Sequence, residues 1–351
     1  MNNKDINNIK KKIAFFDAKQ YDIESFNKVN KDYEIHYFES KLNEKTVVLA
    51  KGMDAVCVFV NDDVNDRVLE KLNEYNIHLL ALRCAGYNNV DVKAAFKKVH
   101  IVSVPAYSPY AVAEHAMALL LTLNRRIHKA YLRTRDFNFN IQGLTGFDLF
   151  GKTVGVIGTG KIGMVFINIC KGFGMNVLAY DPYPRENVNF KYVSLDELVE
   201  KSDIISLHCP LTKETKHIIN KDTIDKMKEN VVIINTSRGA LVDSVSLLNG
   251  LKEKKIKGAA LDVYEEEANI FFEDNSSNII NDDILSLLIS LPNVIITSHQ
   301  GYLTNEALDN IARTTLSNID SYFKGNQLEN EICYRCEKNP ADCLKNKTKC
   351  W

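Results

Sequence analysis

From Lys12 onward, short apolar runs rich in β-branched and aromatic residues alternate with longer amphipathic stretches, a pattern that predicts a parallel α/β sheet. The strand candidates are 12–18 (KIAFFDA), 33–39 (YEIHYFE), 55–60 (AVCVFV), 77–84 (IHLLALRC) and 100–105 (HIVSVP). Ser108-Pro109 then reads as an N-cap with proline at the first helical position, opening a long apolar-rich helix that suits a domain connector. A second alternation follows at 153–158, 176–181, 204–210, 231–237, 258–264 and 293–299, ending at His299. A last helix, roughly Asn305 to Phe323, either closes this second set or returns to the first.

At a prior of about 150 residues per domain, 351 residues suggest two domains, and 45% hydrophobic with 25% charged residues is enough to build their cores. Forty-four Lys plus Arg against 45 Asp plus Glu leave a net charge of -1, which argues against nucleic acid or an acidic membrane surface as partner. No apolar stretch approaches the ~20 residues of a membrane span. The polar amino terminus does not read as a signal peptide, so a cytoplasmic protein is expected. Cys57, Cys84, Cys170 and Cys209 lie singly in apolar segments and read as core. Cys333, Cys336, Cys343 and Cys350 crowd into a basic tail, where one structural zinc or iron held by all four is the favoured reading, ahead of a redox switch.

The most specific local signal is Gly158-Thr-Gly160-Lys161-Ile162-Gly163, placed between a strand and a helix. Its glycines allow a tight turn, close approach of backbone amides to a pyrophosphate, and close packing of helix on strand. The next strand ends in Asp181, 18 residues past Gly163, where a carboxylate accepts ribose hydroxyls and repels a 2′-phosphate, which selects NAD.

Ligands of doubly wound sheets lie beyond the carboxyl ends of the strands. Four such ends carry chemistry: Arg238, the run Glu265 to Glu267, His299, and His208. A guanidinium, a carboxylate and an imidazole beside a nicotinamide suit hydride transfer on a 2-keto acid. Arginine grips the carboxylate in a planar fork, histidine exchanges the hydroxyl proton, and a carboxylate holds the imidazole and favours its charged form. Residue chemistry alone leaves His208 and His299 in competition. His115, inside the long helix among Ala, Met and Leu, reads as a packing residue.

These motifs together resemble the NAD-dependent D-isomer-specific 2-hydroxyacid dehydrogenases from about Lys12 to Glu331. GTGKIG, Asp181-Pro182, NTSRGALVD, LDVYEEE and SHQGYLT stand in that family's order and spacing, and YEEEANIFFEDNSSNIINDD is most similar to its fermentative D-lactate dehydrogenases. The resemblance implies reversible NADH-dependent reduction of pyruvate to D-lactate. By position, Arg238 matches the substrate-binding arginine, Glu267 the supporting acid and His299 the proton donor. Ala85 and Gly86, in RCAGYNNVD, match the carboxylate-binding loop, with Tyr107 and Tyr302 also at the substrate. Tyr302 stands where many lactate enzymes have Phe. Cys209, Pro210, Thr236 and Asp262 match cofactor-side positions beside the glycine loop.

The implied architecture is a flavodoxin-like substrate-binding domain, 1–106 with 300–332, and an inserted Rossmann NAD domain, 107–299. The active site is the cleft between them, and 333–351 form a short Cys-rich tail. A homodimer or higher homo-oligomer is also implied, through the apolar connector helix. Two alternatives stay open: a different acid, such as 2-hydroxyisocaproate or glycerate, and a non-enzymatic NAD-sensing corepressor. A phosphorylated acid would want more basic residues near the substrate loop, which supplies Arg83 only.

Overall fold

A computed structural model describes residues 10–334. The chain divides into two compact units, one running up to Ser108 and resuming at Thr304, the other spanning Pro109–Leu303. The switches fall a few residues beyond the points expected from the sequence.

The first unit holds β1 (Lys11–Phe15), β2 (Tyr33–Tyr37), β3 (Ala55–Val58), β4 (Leu79–Leu82) and β5 (His100–Val102), paired in parallel in the order β5-β4-β3-β1-β2. Every residue of β3, β4 and β5 is buried, as expected where both faces of a parallel sheet are covered. The second unit holds β6 (Thr153–Ile157), β7 (Asn176–Tyr180), β8 (Lys191–Tyr192), β9 (Ile204–Leu207), β10 (Val231–Asn235), β11 (Ile256–Leu261) and β12 (Val294–Ile296). Their order, β12-β11-β10-β9-β6-β7-β8, reverses direction between β6 and β9, the topological switch point of a dinucleotide fold. Its core packs on both faces of the sheet, with Ile205, Leu207, Ile233 and Leu261 on one side and Val154, Val156, Ile234 and Ala260 on the other.

Both sheets are parallel as expected, and one short strand is added to the first: β13 (Glu331–Ile332) runs antiparallel along β5 at its edge. It is fastened by His100 Nδ1, which lies 2.6 Å from Glu331 Oε1, both residues being buried. Two residues carry no alternation to read, so the pairing is visible only in three dimensions.

Arg83, the one basic residue of the RCAGYNNVD segment, turns inward: its buried guanidinium donates to the carbonyls of Phe16 (3.0 Å) and Asp17 (2.7 Å) and to the Asp22 carboxylate (3.3 Å). It lies over the rings of Phe15 and Phe59 at 4.4 and 4.7 Å. A buried charge must be paired and hydrogen-bonded, and these contacts commit Arg83 to the interior. Among the described residues, no helix is long and apolar enough to cross a membrane.

Candidate active site

The glycine loop leaves the end of β6 at the switch point. Gly158 adopts φ +94°, and a Cβ there would stand 2.6 Å from the backbone of His208 and Cys209, so a side chain is excluded on two counts. Gly163 packs directly on the Gly158 carbonyl, whereas Gly160, which precedes the helix Lys161–Gly172, faces open space. Lys161 and Ile162 form that helix's first turn, whose amides point toward any anion above it. Asp181, just past β7, accepts from the Thr159 amide (2.7 Å) and hydroxyl (3.0 Å) through Oδ2 and from the Tyr183 amide (2.9 Å) through Oδ1. A cavity of roughly 630 Å³ is lined by Gly158, Gly160, Asp181, Cys209 and Pro210, five of the expected cofactor residues, together with His208 and others. Thr236, past the end of β10, is buried, and its hydroxyl has no hydrogen-bond partner among the described residues.

Three neighbouring strands present the expected chemistry at one edge. Arg238 follows β10, Glu267 follows β11 and His299 follows β12. His299 Nδ1 lies 2.7 Å from Glu267 Oε1, and each side chain is 20% exposed. The other carboxylate oxygen of Glu267 accepts the Tyr264 amide at 2.8 Å, so the acid is held on both sides. Gly239 ties Arg238 to the same place: a Cβ on it would meet the Tyr264 carbonyl carbon at 2.0 Å, so the backbone of Tyr264 and Glu265 passes against the Arg238 turn only because the residue is glycine. Asn235 Nδ2 donates to the Arg238 carbonyl (2.8 Å) and fixes the turn.

Asp262 is the anchor of the histidine loop. Its buried carboxylate accepts the Gln300 amide (2.9 Å), the Gly301 amide (2.7 Å) and the Thr297 hydroxyl (2.5 Å), while its carbonyl accepts the His299 amide (2.7 Å). Burial by itself would raise this carboxyl, but hydrogen bonds from His115, Thr297 and the Gln300 amide bring it below the usual carboxylate range. His115 is therefore more than the packing residue expected from its apolar helix: its Nε2 lies 3.2 Å from both Asp262 Oδ1 and Thr297 Oγ1. Its partners are 147 and 182 positions away, so nothing in the helix itself points to them.

Among the described residues, His208, the competitor of His299, has no acid within hydrogen-bond reach. Its Nε2 lies 2.9 Å from the Ser206 hydroxyl, its buried Nδ1 has no partner among the described residues, and its ring packs on Phe166 at 4.8 Å. Burial pushes its pKa down to about 3, so this imidazole is neutral near pH 7.

The predicted substrate residues are divided between the units. Ala85, Gly86 and Tyr107 belong to the first, where the Cys84 thiol donates to the Gly86 carbonyl (3.2 Å), and Tyr302, buried, belongs to the second. Among the described residues no group of three or more His, Cys, Asp or Glu is arranged to hold a metal ion. Cys333 is buried as a free thiol, and Cys336, Cys343 and Cys350 lie outside the described residues, so the four-cysteine metal reading finds no support among the described residues.

Comparison with known proteins bears directly on this arrangement. Residues 117–301 match the family model described as D-isomer specific 2-hydroxyacid dehydrogenase, NAD binding domain. The chain is 50% identical over 327 residues to the D-lactate dehydrogenase of Escherichia coli, covering 92% of this chain and 99% of that one. A solved structure of the pyruvate reductase of Chlamydomonas reinhardtii superposes with a TM-score of 0.87 at 41% identity, covering 92% of this chain and 98% of that chain. A D-2-hydroxyisocaproate dehydrogenase superposes with a TM-score of 0.80 at 35% identity, covering 92% and 99%. A glycine loop at the switch point, an acid-backed histidine at a strand end and these matches over nearly the whole chain lead to one conclusion: the chain belongs to the NAD-dependent D-isomer-specific 2-hydroxyacid dehydrogenases.

Proposed function

We propose that this enzyme is a D-lactate dehydrogenase reducing pyruvate with NADH, the unit up to Ser108 and from Thr304 holding substrate and the unit Pro109–Leu303 holding cofactor. The observation that carries the chemistry is the His299–Glu267 pair at a strand end next to that of Arg238. Bound NADH supplies the hydride to the carbonyl carbon. Gly158, Gly160, Lys161, Ile162 and Gly163 would hold its pyrophosphate, Asp181 its ribose, and Cys209, Pro210 and Thr236 would line the rest of the site. Asp262 acts from beneath, through the loop it anchors.

Arg238 pairs with the substrate carboxylate through its planar fork and draws electron density from the carbonyl. His299 donates the proton that the new alkoxide needs. Because Nδ1 is committed to Glu267, the proton leaves from Nε2. Glu267 steadies the imidazole and carries the opposite charge when it is protonated, and the Tyr264 amide fixes which way Glu267 points. Ala85, Gly86, Tyr107 and Tyr302 complete the substrate's surroundings. The commitment of Arg83 to the interior removes the one basic side chain of the substrate loop and disfavours a phosphorylated acid.

The test is direct: purified protein given pyruvate and NADH is expected to yield D-lactate, and either L-lactate or an absence of NADH oxidation would end the proposal. A different 2-keto acid, such as 2-ketoisocaproate, is the second reading, because Tyr302 stands where many lactate enzymes have Phe. A higher kcat/KM for 2-ketoisocaproate than for pyruvate in the same assay would put it first.

A homo-oligomer is supported by the helix Ile127–Arg135, which buries none of its residues, and by Phe137, Phe139 and Ile141, exposed at 83%, 72% and 80%. Light scattering that returned a monomer would remove this reading. Free thiols at all five described cysteines fit a cytoplasmic setting. A zinc or iron on Cys333, Cys336, Cys343 and Cys350 rests on their spacing alone, and elemental analysis finding neither metal would dismiss it.

A further inference from the structure

We propose that Phe272 is a positioning residue for His299, its ring laid against the imidazole so that the proton-donating nitrogen is held in one direction. The two rings lie with centroids 5.9 Å apart and planes at 36°. Both residues occupy the left-handed region of backbone space, Phe272 at φ +67° and His299 at φ +54°. Side chains with a Cβ rarely adopt that conformation, and a bulky aromatic does so least readily, so the surrounding structure must impose it.

The source of the constraint is visible. The Glu267 carbonyl accepts the amides of Ile270 and Phe271, each at 2.9 Å, closing a turn that begins at Glu267 and delivers the chain to Phe272. Phe271 is buried in the core of this unit, and Ile270 and Phe272 pack on it. Further along, the Tyr264 hydroxyl donates to both oxygens of Asp282, at 3.0 and 2.9 Å, and Asp282 also accepts the Leu285 amide (2.8 Å). The segment between Tyr264 and Asp282 is thus fastened at both ends.

One turn therefore makes two different contacts with one imidazole. Glu267 bonds Nδ1, which fixes a point on the ring but leaves rotation about that bond. Phe272 packs its ring at a tilt against the imidazole, which restrains the rotation and leaves Nε2 free to donate. An aromatic beside an imidazole that alternates between neutral and cationic forms favours both, by ring packing in the first and by the charge over the π face in the second. An aliphatic side chain of similar bulk fills the space without the flat face.

This role rests on reading His299 as the proton donor, and it predicts a specific kinetic split. Misplacing a reacting group by about 1 Å can cost on the order of 10²-fold, so a partial loss of orientation in Phe272→Leu should lower kcat for pyruvate about tenfold. KM for NADH should stay within about twofold, because the glycine loop and Asp181 are untouched. Phe272→Tyr, which keeps the ring, should hold kcat within about threefold of the parent. If Phe272→Leu does not fold, Phe272→Met gives the same readout with similar volume and no ring. Parent-level kcat in Phe272→Leu, equal impairment of the Leu and Tyr variants, or a loss appearing as a raised KM for NADH would each overturn the proposal. His299→Asn serves as the control: turnover at the parent rate there would defeat the acid–base reading itself. An inactive His299→Asn beside an unimpaired Phe272→Leu would defeat only the role of Phe272.

Discussion

His208 and His299 both follow apolar strands of one sheet, at the same edge, yet the chain builds opposite environments around them. His208 leaves β9, a strand paired on both sides beside the switch point, and its ring turns onto Phe166 with no acid among the described residues to balance a charge. His299 leaves β12, the last strand of the sheet, where the polypeptide has room for a left-handed turn and for a carboxylate at 2.7 Å. The lesson is that a strand end supplies location but not reactivity. An imidazole taken out of water keeps access to its charged form only where an acid compensates the charge, and His208, packed against Phe166, has burial without that partner among the described residues.

The largest effect that could break this contrast is expected at the two histidines themselves. Loss of a general acid typically costs 10²- to 10⁴-fold, so His299→Asn should lower turnover by at least about 10²-fold. His208→Gln, which keeps a polar group near Ser206 beside the cofactor cavity, should act chiefly on KM for NADH and lower kcat by less than about tenfold. Steady-state kinetics on both variants decide it: comparable losses in kcat would erase the distinction drawn here.

A smaller effect sharpens the contrast through the loop that carries His299. Asp262→Asn keeps the shape of the anchor but forces an NH₂ group against the amides of Gln300 or Gly301, which should destabilise the fold by about 1–3 kcal/mol at pH 7 in urea unfolding. The Asp262 carboxyl is held below the usual carboxylate range in the folded protein, so its contribution is full above the unfolded pKa of about 4 and is lost as pH falls through the lower folded value. The difference between parent and variant should therefore shrink on acidification. A difference that stayed constant to low pH would show that the charge of Asp262 is not what holds the loop.

Much of this was legible in the sequence because it is local. The glycine loop, Asp181 and the polar residues ending each strand are set by a few consecutive positions, and the alternation of apolar runs gave the strands they belong to. What escaped depends on distant partners. The bond of His115 to Asp262 joins a connector helix to a strand end 147 positions later, and the inward turn of Arg83 depends on Asp22, 61 positions before it. The short strands β8 and β13 are defined by the neighbours they pair with. Phe272 sits in the segment that resembles lactate enzymes, but only the turn from Glu267 shows which of its aromatics meets the imidazole.

If Glu267 works by supporting His299, the two must behave as one unit. A double-mutant cycle of Glu267→Gln and His299→Asn, read as kcat/KM for pyruvate, measures this. The double variant should be no slower than His299→Asn alone, because an acid partner has nothing left to support once the imidazole is gone. Losses that multiply, with the double variant slower by the full product of the two single effects, would mean that Glu267 and His299 act independently and that their 2.7 Å contact is not the catalytic unit.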